Sequence, residues 1–424
     1  MSANYLEQYD AAADSDKSPL ARRWIDTEPL SFFKELREKR PILITPKFTL
    51  VTRFDDVREV LSMPKVFTVK PYVPKMADYL MMHDDDALHT REKSLMQCML
   101  NRDDLPAVRE MVANVSKEIL DTANGNIELV NNYCRMVPAT LVREYFGLTG
   151  AKRHDLIEWS YWNQWDTFHN QPFDLLPPEK SQHIIDRHNE TSKALGMFIV
   201  ELIARRLLQV KAEEITLSTL VRLDDDIVTR MLRTDYPKQL DFDIKRLGTN
   251  AGGLLIGAIE TTAQAVAQIT QYLMERPEWL GKAKTAALKD TAAEFDGIVW
   301  EALRFVPITP YLFRTTASDY TAAKGTGHAT VLRAGTHVLP VTLSAMFDER
   351  AFESPDEFIP QRNWYNYFHF GFGSHECLGR YVGMVMIPEM VRQVLTRQSI
   401  KANAPIDYKS GPFPEQYDLS WTLQ

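Results

Sequence analysis

Ten residues near the end of the chain place one cysteine between a glycine-rich approach and an apolar run. Residues 370–379 read FGFGSHECLG, and residues 382–387 that follow are almost all apolar. If the apolar run is helical, a Cys377 thiolate lies at a helix N-terminus, where N–H groups and the helix dipole favour negative charge. Glycine lets the backbone approach a large flat group and adopt positive φ. The pattern predicts a ligand-binding cysteine, and the alternative is an ordinary core cysteine.

The spacing F-x-x-G-x-x-x-C-x-G in this segment resembles the heme-binding loop of the cytochrome P-450 superfamily. The resemblance implies that Cys377 is the proximal iron ligand of a heme b, with a thiolate that pushes electron density toward O–O cleavage. It also implies that Phe370, Gly371 and Gly379 bind the heme.

The chain has 424 residues, of which 45% are hydrophobic and 25% charged, and no linker, repeat or low-complexity tract divides it. We therefore predict a single domain over residues 1–424 with an ample core. Short strands are predicted at 41–44, 49–52, 329–332 and 336–339, with a helix at 55–61 and helical periodicity through most of 89–246. The chain is thus expected to be mainly α with small β-sheets. The resemblance implies the cytochrome P-450 fold, a triangular helix-rich domain with heme between the I and L helices.

The segment 247–274 is long, apolar and rich in small residues, and it predicts one buried helix. Its residues 257–262, GAIETT, resemble the A-G-x-[DE]-T-T segment of the family's I helix, with Gly-Ala in place of Ala-Gly. The resemblance implies that Glu260 feeds protons from solvent, that Thr261 positions water during dioxygen activation, and that Ala258 leaves room beside the heme. The alternative is a helix-packing seam in which threonine bonds a backbone carbonyl.

The two propionates of a heme need cationic or hydrogen-bonding partners. Residues 89–93, HTREK, resemble the H-x-x-x-R pattern of the family's C helix, with Lys93 at the usual arginine position. Lysine lacks the planar fork of arginine, so we expect looser contact there. His375 and Arg314 match other positions that contact propionates, as does His89, although a lone histidine is more often structural.

Glu301 and Arg304 are three residues apart and can pair on one helix face. They resemble the family's buried E-x-x-R pair, and Arg362 matches the arginine that completes it. The resemblance implies a structural network that supports the cysteine loop; the alternative is a surface ion pair of little energetic value. Further on, Pro388 is expected to kink or shorten the helix after the loop.

Three stretches are expected to shape specificity. Trp159, Trp162, Trp165 and Phe168 recur every three residues, which is more typical of core than of a recognition surface. In family order, however, they fall near the F helix, above the substrate pocket. The proline-broken loop 67–82 and the segment 307–312 also correspond to regions that line the pocket.

Composition bears on partners and compartment. The net charge of −8 argues against nucleic acid as a bulk partner, and three cysteines make no even disulfide framework. The polar start of the chain shows no targeting segment or membrane anchor. These features predict a cytoplasmic protein, and we expect a monomer.

The resemblance implies a heme-thiolate monooxygenase that inserts one oxygen atom from O2 into a C–H bond of a small organic substrate, by hydroxylation or oxidative O-demethylation. Electrons would come from NAD(P)H through a separate ferredoxin and ferredoxin reductase, docked at basic residues such as Arg91, Lys93 and Arg380. The alternatives are a peroxide-driven peroxygenase or an isomerase or dehydratase on the same fold, and a non-catalytic heme-binding protein. Terpenoids, fatty acids, aromatic ethers and methylated sugars remain equally open as substrates.

Overall fold

A computed structural model describes residues 4–76, 78–84, 86–216, 225–289 and 291–423. Within these ranges the chain is dominated by α-helices, numbered here in chain order: α1 (Tyr5–Ala11), α2 (Asp14–Thr27), α3 (Pro29–Lys39), α4 (Phe54–Ser62), α5 (Ala87–Met99), α6 (Leu105–Thr122), α7 (Met136–Glu144), α8 (Arg153–His169), α9 (Pro178–Thr216), α10 (Ile227–Arg233), α11 (Ile244–Ala258), α12 (Glu260–Met274), α13 (Pro277–Ala287), α14 (Ala293–Phe305), α15 (Thr342–Ala345) and α16 (Arg380–Leu395).

The strands are short and form three small sheets: β1 (Ile42–Ile44), β2 (Thr49–Val51), β3 (Phe67–Thr68), β4 (Asn126–Glu128), β5 (Arg314–Thr316), β6 (Tyr320–Ala322), β7 (Thr330–Leu332), β8 (His337–Pro340), β9 (Lys401–Ala402) and β10 (Asp418–Ser420). The largest sheet has the order β1-β2-β8-β5-β3, in which β2 and β8 are parallel and the other pairs antiparallel. The other two sheets have the orders β4-β10-β9 and β6-β7. The prediction of a mainly α chain with small sheets is confirmed, and so are the four predicted strands.

The predicted single helix over 247–274 is wrong in one respect, because Ile259 separates α11 from α12. The carbonyl oxygen of Ile256 accepts hydrogen bonds from the side chains of Gln164 (2.5 Å) and Ser160 (3.3 Å), which lie on α8. These donors compete for a carbonyl that would otherwise serve the helix, and such a side-chain insertion is a recognised cause of helix interruption. The contact joins positions almost a hundred residues apart, so the local pattern does not contain it.

The predicted Glu301–Arg304–Arg362 network is present, with Glu301 and Arg304 fully buried and Arg362 half-buried. Arg304 donates to both carboxylate oxygens of Glu301, at 3.0 and 2.7 Å, and Arg362 donates to the same carboxylate at 3.1 Å. The Tyr367 hydroxyl adds a fourth hydrogen bond at 2.7 Å. Because Tyr367 lies just before the cysteine loop, the network fixes the start of that loop to α14.

Helix α16 continues past Pro388 to Leu395, so proline does not shorten it, and the expected kink stays a prediction. Residues 386–391 of this helix are all buried, and the helix packs along α6. Burial of about 1.5–3 kcal/mol per large apolar side chain offsets the single hydrogen bond that proline removes. Tertiary packing therefore keeps α16 continuous across Pro388.

Candidate active site

An interior cavity of about 350 Å³ lies between the junction of α11 with α12 and the cysteine loop with the start of α16. Gly257, Ala258 and Thr261 line one wall, and Phe370, Gly371, His375, Cys377 and Gly379 line the opposite one. The remaining walls are mostly apolar and include parts of the predicted specificity stretches at 67–82 and 307–312. Phe168 also faces the cavity, whereas Trp159, Trp162 and Trp165 are outside its lining.

Glycine geometry shapes the cysteine loop. Gly371 and Gly373 have φ of +74° and +77°, a region that other residues rarely adopt. A Cβ on Gly373 would lie 2.5 Å from the carbonyl oxygen of Leu61, so a side chain there is excluded. The N–H of Cys377 donates to the carbonyl oxygen of Phe370 at 2.8 Å, which closes the loop just before α16.

The Cys377 side chain is exposed, and its accessible surface opens into the cavity. Burial within the protein raises the pKa of its thiol, while the N–H of Gly379 and the charge of Lys93 act in the opposite direction. A metal cation next to the sulfur would reverse this balance, because a coordinating thiol loses its proton. The position therefore suits a metal ligand better than an uncoordinated thiolate.

Of the four residues predicted to contact propionates, His375 and Arg314 line the cavity, and His89 and Lys93 lie next to His375. The rings of His89 and His375 stack with centroids 4.4 Å apart, and Arg314 lines the cavity beside them. Burial and, to a smaller extent, the charges of Arg314, His89 and Lys93 together lower the pKa of His375 to about 2. This part of the cavity is consequently short of negative charge and attractive to carboxylates.

Lys93 differs from the simple prediction, because its ammonium group donates to the carbonyl oxygens of Ser374 and Glu376, the latter at 2.7 Å. It ties α5 to the cysteine loop, and it does not line the cavity. Its charge still acts on this part of the cavity, but a direct propionate contact would have to compete with these two carbonyls.

These residues fit a heme. His375 Nε2 is buried and has no hydrogen-bond partner among the described residues, as expected of a donor that meets a propionate. The thiol of Cys377 faces the same space, and Arg314 supplies a cation at its edge. Small residues on both walls, Ala258 and Gly379 among them, leave room for a flat ring.

Glu260 and Thr261 are separated by the fold, although they are neighbours in sequence. Thr261 lines the cavity, and its hydroxyl donates to the carbonyl oxygen of Gly257 at 2.8 Å. Glu260 is fully buried and is not part of the cavity lining; its two oxygens accept from Arg135 at 2.8 and 3.1 Å. Burial raises the pKa of the Glu260 carboxyl, and the Arg135 guanidinium opposes the rise.

Arg135 is a residue that sequence reasoning missed. It also binds Glu415 at 3.1 Å, and the Glu415 side chain is 18% exposed. The path from Glu260 through Arg135 to Glu415 thus runs from the I-helix-like segment toward the surface. The sequence carries no spacing signal for these contacts, because each joins segments more than 100 residues apart.

The cavity has a thiol at a helix N-terminus on one side and a small-residue helix wall with a threonine on the other, an arrangement that can hold a heme. The family model for Cytochrome P450 matches residues 43–409. The chain therefore belongs to the cytochrome P450 family, and with it to the oxidoreductases of monooxygenase type with heme iron as cofactor.

Named relatives and solved structures agree with this assignment. The chain is 24% identical to the steroid C26-monooxygenase of Mycolicibacterium smegmatis, covering 88% of this chain and 87% of that one. It is 25% identical to the mycinamicin IV hydroxylase/epoxidase of Micromonospora griseorubida, covering 86% and 87%. The structure of cytochrome P450 CYP109Q5 from Chondromyces apiculatus superposes with a TM-score of 0.75 at 19% identity, covering 94% and 97%, which confirms the fold. Within the described residues, none of the helices has the length and apolarity needed to cross a bilayer.

Proposed function

We propose that this protein is a monooxygenase that inserts one oxygen atom from O2 into a C–H bond of a small organic substrate, by hydroxylation or oxidative O-demethylation. The observation that carries the proposal is the placement of the Cys377 thiol and the Thr261 hydroxyl on opposite walls of one apolar cavity. Heme bound at Cys377 would supply dioxygen activation, a chemistry that no side chain provides.

The chain's own residues bind and orient the heme and manage protons. Cys377 would ligate the iron, and His375, Arg314, His89 and Lys93 would balance the propionates. Phe370, Gly371, Gly379 and Ala258 would shape the space for the ring. These roles are supported by the positions of the side chains around the cavity and by the unpartnered Nε2 of His375.

Proton delivery would end at the hydroxyl of Thr261, which faces the cavity. Glu260 is the nearest buried carboxyl in sequence, and its raised pKa favours holding a proton. Because its oxygens are bound to Arg135, delivery from Glu260 requires that this pair opens and that the carboxyl turns toward the cavity. Glu415, which also binds Arg135, would hold that guanidinium while Glu260 is released.

Electrons would come from NAD(P)H through a separate ferredoxin and its reductase. Of the three basic residues predicted to receive the partner, Lys93 is bound to loop carbonyls and Arg380 pairs with Glu376 at 2.5 Å. Arg91, which is half-buried on α5, thus becomes the main candidate of the three. Charge reversal at Arg91 should slow reduction in a salt-dependent way. Reduction that ignores both salt and this change would contradict docking there.

The test is turnover of testosterone, chosen because a related structure from Bacillus megaterium, with a TM-score of 0.73 and 19% identity, contains this steroid. Holoenzyme with surrogate ferredoxin, reductase and NADPH should form a product that carries labelled oxygen from labelled O2. Thr261→Ala should reduce product per NADPH by roughly 10²-fold, the usual value of a positioned proton donor. Thr249→Ala is the matched control. The Thr249 hydroxyl donates to the carbonyl oxygen of Lys245 within α11, much as Thr261 donates to Gly257, but Thr249 does not line the cavity.

Full turnover by peroxide alone, unaffected by Thr261→Ala, would instead support the peroxygenase alternative. Tight steroid binding with no product under either condition would support a non-catalytic heme protein.

A further inference from the structure

His169 and Tyr311 form one polar part of the cavity wall. His169, the last residue of α8, and Tyr311 line the wall there, among neighbours that are mainly aromatic or aliphatic. The ring of His169 meets Phe413 edge-on, with centroids 5.2 Å apart. No hydrogen bond joins a ring nitrogen of His169 to another described residue. Because His169 lines the cavity, its ring nitrogens remain available to a ligand bound there.

The polar groups around Tyr311 already have hydrogen-bond partners within the protein. The Tyr311 hydroxyl donates to Asp174 at 3.2 Å and accepts from Arg22, and Arg22 also pairs with Asp174 (3.2 Å) and Asp26 (2.7 Å). This cluster fixes the position of Tyr311 and leaves its hydroxyl with little left to offer a ligand. Beside this cluster, His169 offers ring nitrogens that a ligand in the cavity can engage.

The charges around His169 and Tyr311 disfavour the binding of a carboxylate. Arg22 is one cation between two carboxyl groups, so the cluster has no surplus positive charge. Burial raises the pKa of Asp174, and with Asp174 protonated the charges of Arg22 and Asp26 still cancel. Burial also lowers the pKa of His169 to about 3, so its imidazole is neutral at physiological pH.

We propose that His169 forms a subsite for a neutral oxygen function of the substrate, a hydroxyl or carbonyl group. A neutral imidazole offers one hydrogen-bond donor and one acceptor. A hydroxyl group can use both of them, and a carbonyl group can use the donor. A carboxylate would lose its hydration and find no unpaired cation in return. The inference rests on the proposed function and narrows its substrate class to alcohols and ketones with an apolar body, rather than fatty acids.

The test is competitive binding to the ferric holoenzyme. Decanol, methyl octyl ketone, decanoate and decane share an apolar chain of similar length and differ in the terminal group. Each is titrated against bound phenylimidazole, whose displacement from the iron changes the Soret band even where the probe itself does not. Decanol and the ketone should bind up to about tenfold more tightly than decane, the value of one net hydrogen bond. Decanoate should bind no more tightly than decanol.

Three variants identify the group responsible. His169→Phe should lower the affinity for decanol to that for decane, whereas His169→Gln, which keeps a donor and an acceptor, should retain part of the preference. His183→Phe is the matched control, because His183 also meets an aromatic ring edge-on but does not line the cavity. It should leave the order of the probes unchanged.

Strongest binding by decanoate, no competition by decanol or the ketone, or a preference that survives His169→Phe would each overturn the inference. These failures are distinct from failure of the proposed function. The Soret band of the ferrous carbon monoxide complex reports thiolate ligation by Cys377 in the same samples, and product formation reports the activity.

Discussion

Replacing Arg135 with leucine should strongly destabilise the protein. The guanidinium donates to both oxygens of Glu260, and the side chains of the pair are only 4% and 1% exposed. Removal of one member of a buried ion pair costs about 3–5 kcal/mol, because the other charge stays buried without compensation. Replacing both residues, in Arg135→Leu/Glu260→Leu, should recover much of this loss, since no charge is then left unpaired.

The cost should depend on pH in a defined direction. Burial raises the pKa of Glu260 in the folded protein, and Arg135 opposes the rise, so the variant raises that pKa further. At a pH low enough to protonate this carboxyl in both the folded and the unfolded chain, its raised pKa does not lower the free energy of unfolding. As the pH rises through the folded-state pKa, the free energy of unfolding falls. The deficit of the variant should therefore be small near about pH 4 and reach its full size near about pH 8.

Urea unfolding of the holoenzyme at the two pH values measures both effects. Arg333→Leu is the control, since Arg333 pairs with Asp319 at 2.6 Å but the two side chains are 77% and 53% exposed. That pair is worth about 0–1 kcal/mol. The reasoning is refuted if Arg135→Leu loses no more stability than Arg333→Leu, or if its loss is the same at both pH values.

Two further substitutions test the supports of the cysteine loop. Gly373→Ala should lower the free energy of unfolding by about 1–3 kcal/mol and reduce heme retention, because the backbone has positive φ and the new Cβ meets a carbonyl oxygen. Gly325→Ala is the control: it also has positive φ (+89°) but lies in open space, so it should cost less and retain heme. Equal effects of the two substitutions would contradict the steric argument. Arg304→Leu should cost about 3–5 kcal/mol in urea unfolding, because it leaves the fully buried Glu301 carboxylate with one arginine fewer. A loss below about 1 kcal/mol would contradict this, and would show that Arg362 and Tyr367 suffice to compensate the carboxylate.

Motifs with fixed local spacing could be predicted from the sequence. The loop at 370–379 depends on glycines whose positive φ and lack of Cβ are set by residue type, and Glu301 with Arg304 lies on one helix turn. The family resemblance then supplied the long-range member, Arg362. The lining of the cavity by 67–82 and 307–312 followed from family order in the same way.

Contacts between distant segments could not be predicted. The break at Ile259 depends on Gln164 and Ser160, and the direction of Glu260 depends on Arg135. Neither interaction leaves a periodic or spaced pattern in the chain. The continuation of α16 through Pro388 is similar, because its cause is burial against another helix rather than local propensity.

The central claim is that Cys377 holds a heme through its thiolate. The most direct measurement is the Soret band of the ferrous carbon monoxide complex in the wild type, in Cys377→Ser and in Cys98→Ser, where Cys98 is an exposed cysteine outside the cavity lining. The account predicts a thiolate-type band in the wild type and in Cys98→Ser, and its loss in Cys377→Ser. A thiolate-type band that survives Cys377→Ser, or a wild type that binds heme without one, would contradict it.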